Sequence, residues 1–145
     1  MYLCIYNTNN TNKTESIRTM KKIISTPNAP AAIGTYSQAV IANNMLYTSG
    51  QLPVDPTTGE FASEEFSGQA EQVMKNVAAI LTEAGCTFDN VVKTTVFLSD
   101  MSNFAALNEV YARYFTQPYP ARSAVAVKQL PKGALIEMEV IAVLG

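Results

Sequence analysis

The sequence contains no histidine, and this absence excludes the most common side-chain catalysts of hydrolysis. A chain without histidine can build no Ser-His-Asp triad or Cys-His dyad, and almost none of the ordinary zinc or non-haem iron sites. Only two cysteines occur, Cys4 and Cys86, and they form no CxxC motif, so neither a disulfide framework nor a metal cluster is expected. We therefore expect a protein that uses no metal and no cofactor, in a reducing, cytoplasmic setting.

Charge is also scarce, at 15% of residues, while 48% are hydrophobic and the net charge is -2. Interfaces between identical subunits are depleted in charge, so this composition predicts an oligomer. The acidic balance and the lack of a basic cluster weigh against a nucleic acid as the main ligand. No apolar run approaches the length of a transmembrane helix, so no membrane partner is expected.

The chain divides into a short N-terminal segment and one domain. Residues 7–14 are polar and of low complexity, and residues 1–19 as a whole are predicted to be a disordered extension or the result of an overcalled start codon. Residues 20–145 have the length and composition of a single domain with a core of its own.

Hydrophobic periodicity predicts the order βββαβαββ within that domain. On the first helix it predicts one apolar stripe, formed by Phe66, Ala70, Val73, Val77, Ile80, Leu81 and Ala84. Asn43-Asn44 is a two-residue turn signal between two short apolar runs, and Gly85 lies where a helix C-terminal cap belongs. We expect the second helix to be capped by Asp100 or Ser102, to end near Phe115 and to bury Phe104, Leu107, Tyr111 and Phe115. Such a chain forms an α+β two-layer sandwich, with two helices on one face of a mixed sheet of about six strands. The predicted strands are 21–25, 37–42, 45–51, 91–99, 122–128 and 135–143, and the helices are 63–84 and 100–115.

The last two predicted strands contain charges among apolar residues. Arg122 begins one strand, and Glu137 and Glu139 lie in the other, where alternation directs both carboxylates to one face. An unpaired buried ion costs several kcal/mol, so Arg122 needs either a ligand or a structural ion pair with Glu137 or Glu139 across neighbouring strands. The sequence pattern leaves both interpretations open. For Glu139 a solvated strand face is favoured.

Three further residues are weaker candidates for a binding site. Tyr36 offers a phenol after the glycine turn at Gly34, Ser49 ends a strand beside Gly50, and Asn108 lies on the second helix. Each of these signals is more often a turn or a cap than a site.

Several motifs together resemble the RidA branch of the reactive intermediate deaminase (Rid) family. Members of this family have also been called L-PSP endoribonucleases or translation initiation inhibitors. The resemblance runs from about residue 20 to residue 143. The motifs are Asn28-Ala29-Pro30-Ala31-Ala32-Ile33-Gly34, Tyr36-Ser37-Gln38-Ala39, Thr48-Ser49-Gly50-Gln51, Val92-Lys93-Thr94-Thr95-Val96, Pro120-Ala121-Arg122-Ser123 and Ile136-Glu137-Met138-Glu139.

The resemblance implies a chorismate-mutase-like fold, a homotrimer with sites between subunits, and hydrolysis of 2-iminobutanoate and 2-iminopropanoate to 2-oxo acids and ammonia. It implies that Arg122 binds the substrate carboxylate and that Glu137 positions or activates water. The other implied binding residues are Tyr36, Ser49, Asn108, Ser123 and Ala124, the last two through backbone groups.

The sequence also departs from the family pattern at two positions. Thr35 stands where many members have proline, and Ala124 stands where some bacterial members have a reactive cysteine. A regulatory thiol at position 124 is therefore not expected. Two other functions stay open, a metal-independent endoribonuclease and a non-enzymatic oligomer that senses small carboxylates.

Overall fold

Six strands and two α-helices are formed by residues 20–145, the part of the chain that the computed structural model describes. The extension predicted over residues 1–19 lies outside the described residues. The order βββαβαββ is confirmed, and so is the α+β class with a mixed six-stranded sheet. The elements are β1 Lys22–Ile24, β2 Ala39–Ala42, β3 Met45–Thr48, α1 Phe66–Glu83, β4 Val91–Leu98, α2 Phe104–Tyr111, β5 Ala121–Ala126 and β6 Ile136–Val143.

The strands are arranged in the order β1-β2-β3-β6-β4-β5. β5 runs parallel to β4, from which it is reached through α2, and every other pair is antiparallel. The expectation that β5 and β6 are neighbours is wrong, because β4 lies between them. The parallel crossover requires an intervening helix and returns the chain to the far side of β4.

The predicted hairpin at Asn43-Asn44 is confirmed. The two asparagines have φ angles of 49° and 61°, the left-handed values that a two-residue turn of this kind requires. Asparagine tolerates this region better than other residues with a side chain. The turn pairs β2 with β3 and fixes their register.

Helix α1 buries the apolar stripe that its sequence predicts, including Val73, Val77 and Ile80, each fully buried. It ends at Glu83, and Gly85 follows as the predicted cap, with φ at 76° and with the amides of Gly85 and Cys86 donating to carbonyls of the last turn. It begins three residues later than predicted. The Ser63 hydroxyl accepts a hydrogen bond from the Glu65 amide at 3.0 Å, which closes a local turn instead of capping the helix.

The second helix is shorter than predicted. Asp100 accepts from the Ser102 amide at 2.7 Å and caps a 3₁₀ turn, so the α-helix proper begins only at Phe104. It ends at Tyr111 because the following residues form tighter turns, which reach Phe115 just before the prolines of the β5 approach. Phe115 is nevertheless buried, as predicted.

The two faces of the sheet differ. On β6, Ile136, Met138, Val140 and Ala142 are buried in the core on the helix side. The other face, here called the open face, carries no helix among residues 20–145. Apolar side chains are exposed there, each between 39% and 49%: Ile23, Tyr47, Val125 and Val143.

Three buried amide side chains fasten loops to this framework. Gln38 binds the backbone of residues 26–30 through four hydrogen bonds of 2.7 to 3.2 Å. Asn76 on α1 donates to the carbonyls of Leu52 and Val54, both at 2.9 Å. Gln69 accepts from the amide of Leu135 at 2.8 Å and donates to a second loop. Each amide therefore supplies hydrogen bonds to backbone groups that no neighbouring strand satisfies.

Candidate active site

Arg122 lies on β5 beside Thr94 of β4 and points to the helix side of the sheet. Its Nη1 donates to Oδ1 of Asn108 on α2 at 2.9 Å. The guanidinium carbon lies 4.8 Å from the centre of the Tyr111 ring and 5.4 Å from that of Phe104, within cation–π range of both. Helix α2 thus supplies an amide and two rings to hold one arginine.

A cavity of about 350 Å³ opens beside this arginine. It is lined by Asn108, Tyr111, Ala112, Tyr119, Pro120 and Arg122. Among the described residues Asn108 is the only hydrogen-bond acceptor of the Arg122 guanidinium, so most donors of this group are left for a ligand. A planar fork of this kind suits a carboxylate.

Glu137 lies on β6 and points to the open face, where its side chain is half-buried. Its carboxylate is packed against Gly50, and a Cβ on Gly50 would overlap it. Burial, and after it the negative charge of Glu139, raise the pKa of the Glu137 carboxyl. A carboxylate of raised pKa is a stronger base than an ordinary one.

The Tyr36 and Ser49 segments are fastened together beside Glu137. The Ser49 hydroxyl donates to the Ser37 carbonyl at 2.6 Å, and its amide donates to the Gln38 carbonyl at 2.9 Å. Gln51 exchanges two backbone hydrogen bonds with Met138, at 2.8 and 3.2 Å, which draws residues 49–51 onto β6. The exposed Tyr36 ring and Gly50 then border a second cavity of about 490 Å³.

Arg122 and Glu137 are not brought together within one copy of the chain. In register, Arg122 lies beside Thr94 and Glu137 beside Phe97, and residues three apart on a strand point to opposite faces. The alternative of an ion pair between Arg122 and Glu137 or Glu139 across neighbouring strands is therefore wrong for the single chain. The one ion pair among residues 20–145 joins Arg113 to Glu71 at 3.3 Å.

Ser123 and Ala124 follow Arg122 along β5 and alternate in direction. The Ser123 hydroxyl accepts from the Lys93 ammonium at 2.9 Å on the open face, and Ala124 packs against the core on the other. β5 has a single neighbour, β4, so part of its backbone is left unpaired within the described chain. These backbone groups are available to a ligand or to another copy.

Sequence reasoning missed Phe104 and Tyr111 as partners of the arginine, since both were expected only as buried helix residues. The spacing of Phe104, Asn108 and Tyr111, four and three residues apart, places all three on one face of a helix. That shared face was the signal that could have found them. Gly50 was also missed, because only the folded chain shows how closely Glu137 approaches it.

Residues 20–145 contain no group of three or more cysteine, aspartate or glutamate side chains placed to hold a metal ion. Over the same residues, no helix has the length and apolar character needed to cross a membrane.

Known proteins similar to this chain share both its sequence and its fold. The family model described as Endoribonuclease L-PSP matches residues 26–144. The solved structure of the Rid family protein YyfA from Yersinia pestis is 50% identical, covers 86% of this chain and 99% of its own, and superposes with a TM-score of 0.84. The chain belongs to the Rid family. The family resemblance of its motifs is thereby confirmed.

Two further Rid relatives have names that bear on function. The 2-iminobutanoate/2-iminopropanoate deaminase of Homo sapiens is 48% identical over 126 residues, which are 87% of this chain and 92% of the human protein. The structure of E. coli TdcF with bound serine is 45% identical, covers 86% of this chain and 99% of its own, and has a TM-score of 0.81.

Proposed function

We propose that this Rid protein hydrolyses 2-iminobutanoate and 2-iminopropanoate to the corresponding 2-oxo acids and ammonia. The observation that carries the proposal is the Arg122 guanidinium, held by Asn108 and two rings beside a cavity with most of its donors unused. Such a group binds a small carboxylate in one orientation. The names of relatives near 50% identity, the human deaminase among them, support the same reaction.

The reaction needs little more than orientation and one base. A protonated imine is already electrophilic at C2. A water molecule can therefore attack this carbon once a base removes a proton from the water. Glu137, whose pKa is raised by burial, takes a proton from that water as the C–O bond forms. The same proton then passes to the nitrogen of the tetrahedral intermediate. As the C–N bond breaks, Glu137 takes the remaining hydroxyl proton, so the 2-oxo acid forms, and the departing ammonia carries this proton away as ammonium. Tyr36 and Ser49 border the Glu137 side of the site.

A complete site would require two copies of the chain, since one copy directs Arg122 and Glu137 to opposite faces. The open face, with its exposed Ile23, Tyr47 and Val125, is an apolar surface of the kind that oligomers cover. We propose a homotrimer in which Arg122 of one copy meets Glu137 and Gly50 of the next. Backbone groups near Ser123 and Ala124 would then help to hold the imine.

The bound serine of E. coli TdcF is consistent with a small-acid site in this family. Serine has a carboxylate and an adjacent nitrogen, as a 2-imino acid has. We expect this chain also to bind 2-oxobutanoate, the product, whose carboxylate and C2 oxygen occupy the places of the carboxylate and nitrogen of the substrate.

The test adds the protein to a threonine dehydratase reaction and measures the appearance of 2-oxobutanoate. Wild type should accelerate it, and Arg122→Ala should abolish the acceleration and the calorimetric binding of 2-oxobutanoate. The matched control is Arg113→Ala, which removes an arginine paired with Glu71 outside the site and should stay active. An active Arg122→Ala variant would overturn the role given to this arginine.

RNA cleavage is the second candidate, because the matching family model carries the description of an endoribonuclease. It predicts salt-sensitive RNA binding and cleavage that Glu137→Ala abolishes. Cleavage that survives Glu137→Ala and is lost on repurification would identify a contaminant. Binding of 2-oxobutanoate without any turnover would instead favour a non-enzymatic sensor.

A further inference from the structure

We propose that Tyr111 is a positioning residue that holds the Arg122 guanidinium in its ligand-binding orientation. The importance of this role for catalysis rests on the proposed function. Whether the Tyr111 ring orders the Arg122 side chain can be measured without any substrate.

The Tyr111 ring is fixed on two sides. Its hydroxyl shares a hydrogen bond of 3.0 Å with the buried hydroxyl of Thr94, and its ring stacks on Phe115 with centres 4.2 Å apart. Tyr111 is only 6% exposed. The hydrogen bond and the stacked ring each restrict the tilt of the Tyr111 ring, so either contact alone keeps it in place.

This fixed ring lies under the arginine that the site needs. Thr94 is the residue of β4 in register with Arg122, so Tyr111 is bound to one member of this strand pair and carries the other on its ring. The guanidinium carbon is 4.8 Å from the ring centre. Two further contacts come from the same helix. The Phe104 ring centre lies 5.4 Å from the guanidinium carbon, and Asn108 Oδ1 lies 2.9 Å from Nη1.

Ordering an arginine in advance should strengthen ligand binding. A free arginine side chain has large rotamer entropy, which is lost when it binds a carboxylate. Because Tyr111, Phe104 and Asn108 already order the Arg122 side chain when the protein folds, less side-chain entropy is lost when the ligand binds. Tyr111 touches Arg122 and not the open-face side of the site, where Glu137 lies. We therefore expect it to act on affinity much more than on the chemical step.

The test compares Tyr111→Leu and Tyr111→Phe with Phe115→Leu. The last is a matched control, because it removes no group within cation–π range of Arg122 and leaves the Tyr111 ring held by its hydrogen bond to Thr94. The chain has three arginines, so its arginine Nε–Hε NMR spectrum is simple, and Arg122→Lys assigns the Arg122 signal. The heteronuclear NOE of that signal reports the order of the side chain, and calorimetry gives the Kd of 2-oxobutanoate.

Tyr111→Leu should lower the NOE of Arg122 and raise the Kd about tenfold, as loss of a desolvated cation–π contact implies. Tyr111→Phe, which keeps the ring, should restore both values to near wild type. Phe115→Leu should lower the melting temperature without changing either. Should Tyr111→Leu not fold, Phe104→Leu removes the other ring and should act in the same direction.

An unchanged Arg122 NOE and Kd in Tyr111→Leu would overturn the proposal, as would an equal rise in Kd for Phe115→Leu. A wild type that neither binds 2-oxobutanoate nor accelerates its formation would overturn the proposed function. The NOE would still decide the positioning role of Tyr111 in that case.

Discussion

Replacing Gly50 with alanine tests the proposed role of Glu137 without touching Glu137 itself. The added Cβ would lie 2.8 Å from the Glu137 carboxyl carbon and nearer still to one of its oxygens, where ordinary contact begins at 3.4 Å. The carboxyl carbon must therefore move by about 0.6 Å or more, and the oxygen further. Gly50 does not need a left-handed backbone, so alanine itself introduces no strain there.

The expected cost falls on catalysis and not on folding. A displacement near 1 Å at a reacting group costs on the order of 100-fold in rate, which is about 2.7 kcal/mol of transition-state stabilisation. The Glu137 side chain is flexible at its far end and can turn away. The free energy of unfolding should therefore change by less than about 1 kcal/mol.

The assay is 2-oxobutanoate formation in the threonine dehydratase reaction, run as a double-mutant cycle. Gly50→Ala should slow the acceleration about 100-fold in the wild-type background. In the Glu137→Ala background it should have almost no further effect, because the carboxylate that it displaces is gone. Activity within about threefold of wild type, or an equal loss in both backgrounds, would refute this reasoning.

Two other predictions concern the same carboxylate. The proposed reaction needs Glu137 ionised, so its raised pKa makes activity fall, as the pH is lowered, at a higher pH than for an ordinary glutamate. Glu139→Gln removes a negative charge that opposes this ionisation and should move the acid limb of the pH–activity profile to lower pH. A limb that stays in place or rises would contradict that cause. Sites shared between copies also predict that Arg122→Ala and Glu137→Ala chains, unfolded and refolded together in equal amounts, regain about one quarter of wild-type activity. Mixtures as inactive as either parent would place both residues in one copy.

Much of the fold could be predicted because its signals are local. The Asn43-Asn44 turn, the apolar stripe of α1 and the alternation around Glu137 each depend on neighbours in the chain, and all three are confirmed. The ends of the two helices were predicted less accurately. At Ser63, side-chain bonds to nearby backbone compete with capping, and this competition is decided by the folded context.

The site was predicted residue by residue, but its spatial arrangement was not. Nothing local in the sequence places β4 between β5 and β6, since strand pairing follows the long-range crossover through α2. The separation of Arg122 from Glu137 therefore emerged only from the folded sheet. The same is true of the contact between Gly50 and Glu137, which joins residues far apart in the chain.

The buried amides of Gln38, Asn76 and Gln69 have a consequence for how this domain can diverge. Each recognises loop carbonyls, which every residue type presents, or loop N–H groups, which every residue type except proline presents. Loop side chains can therefore be exchanged while the loop path is kept. A lineage could alter the lining of the Tyr36 and Gly50 cavity by substitutions in residues 26–33 and 52–56, provided that these three amides persist. Three side chains in the core thus leave the loops around them free to acquire new specificities.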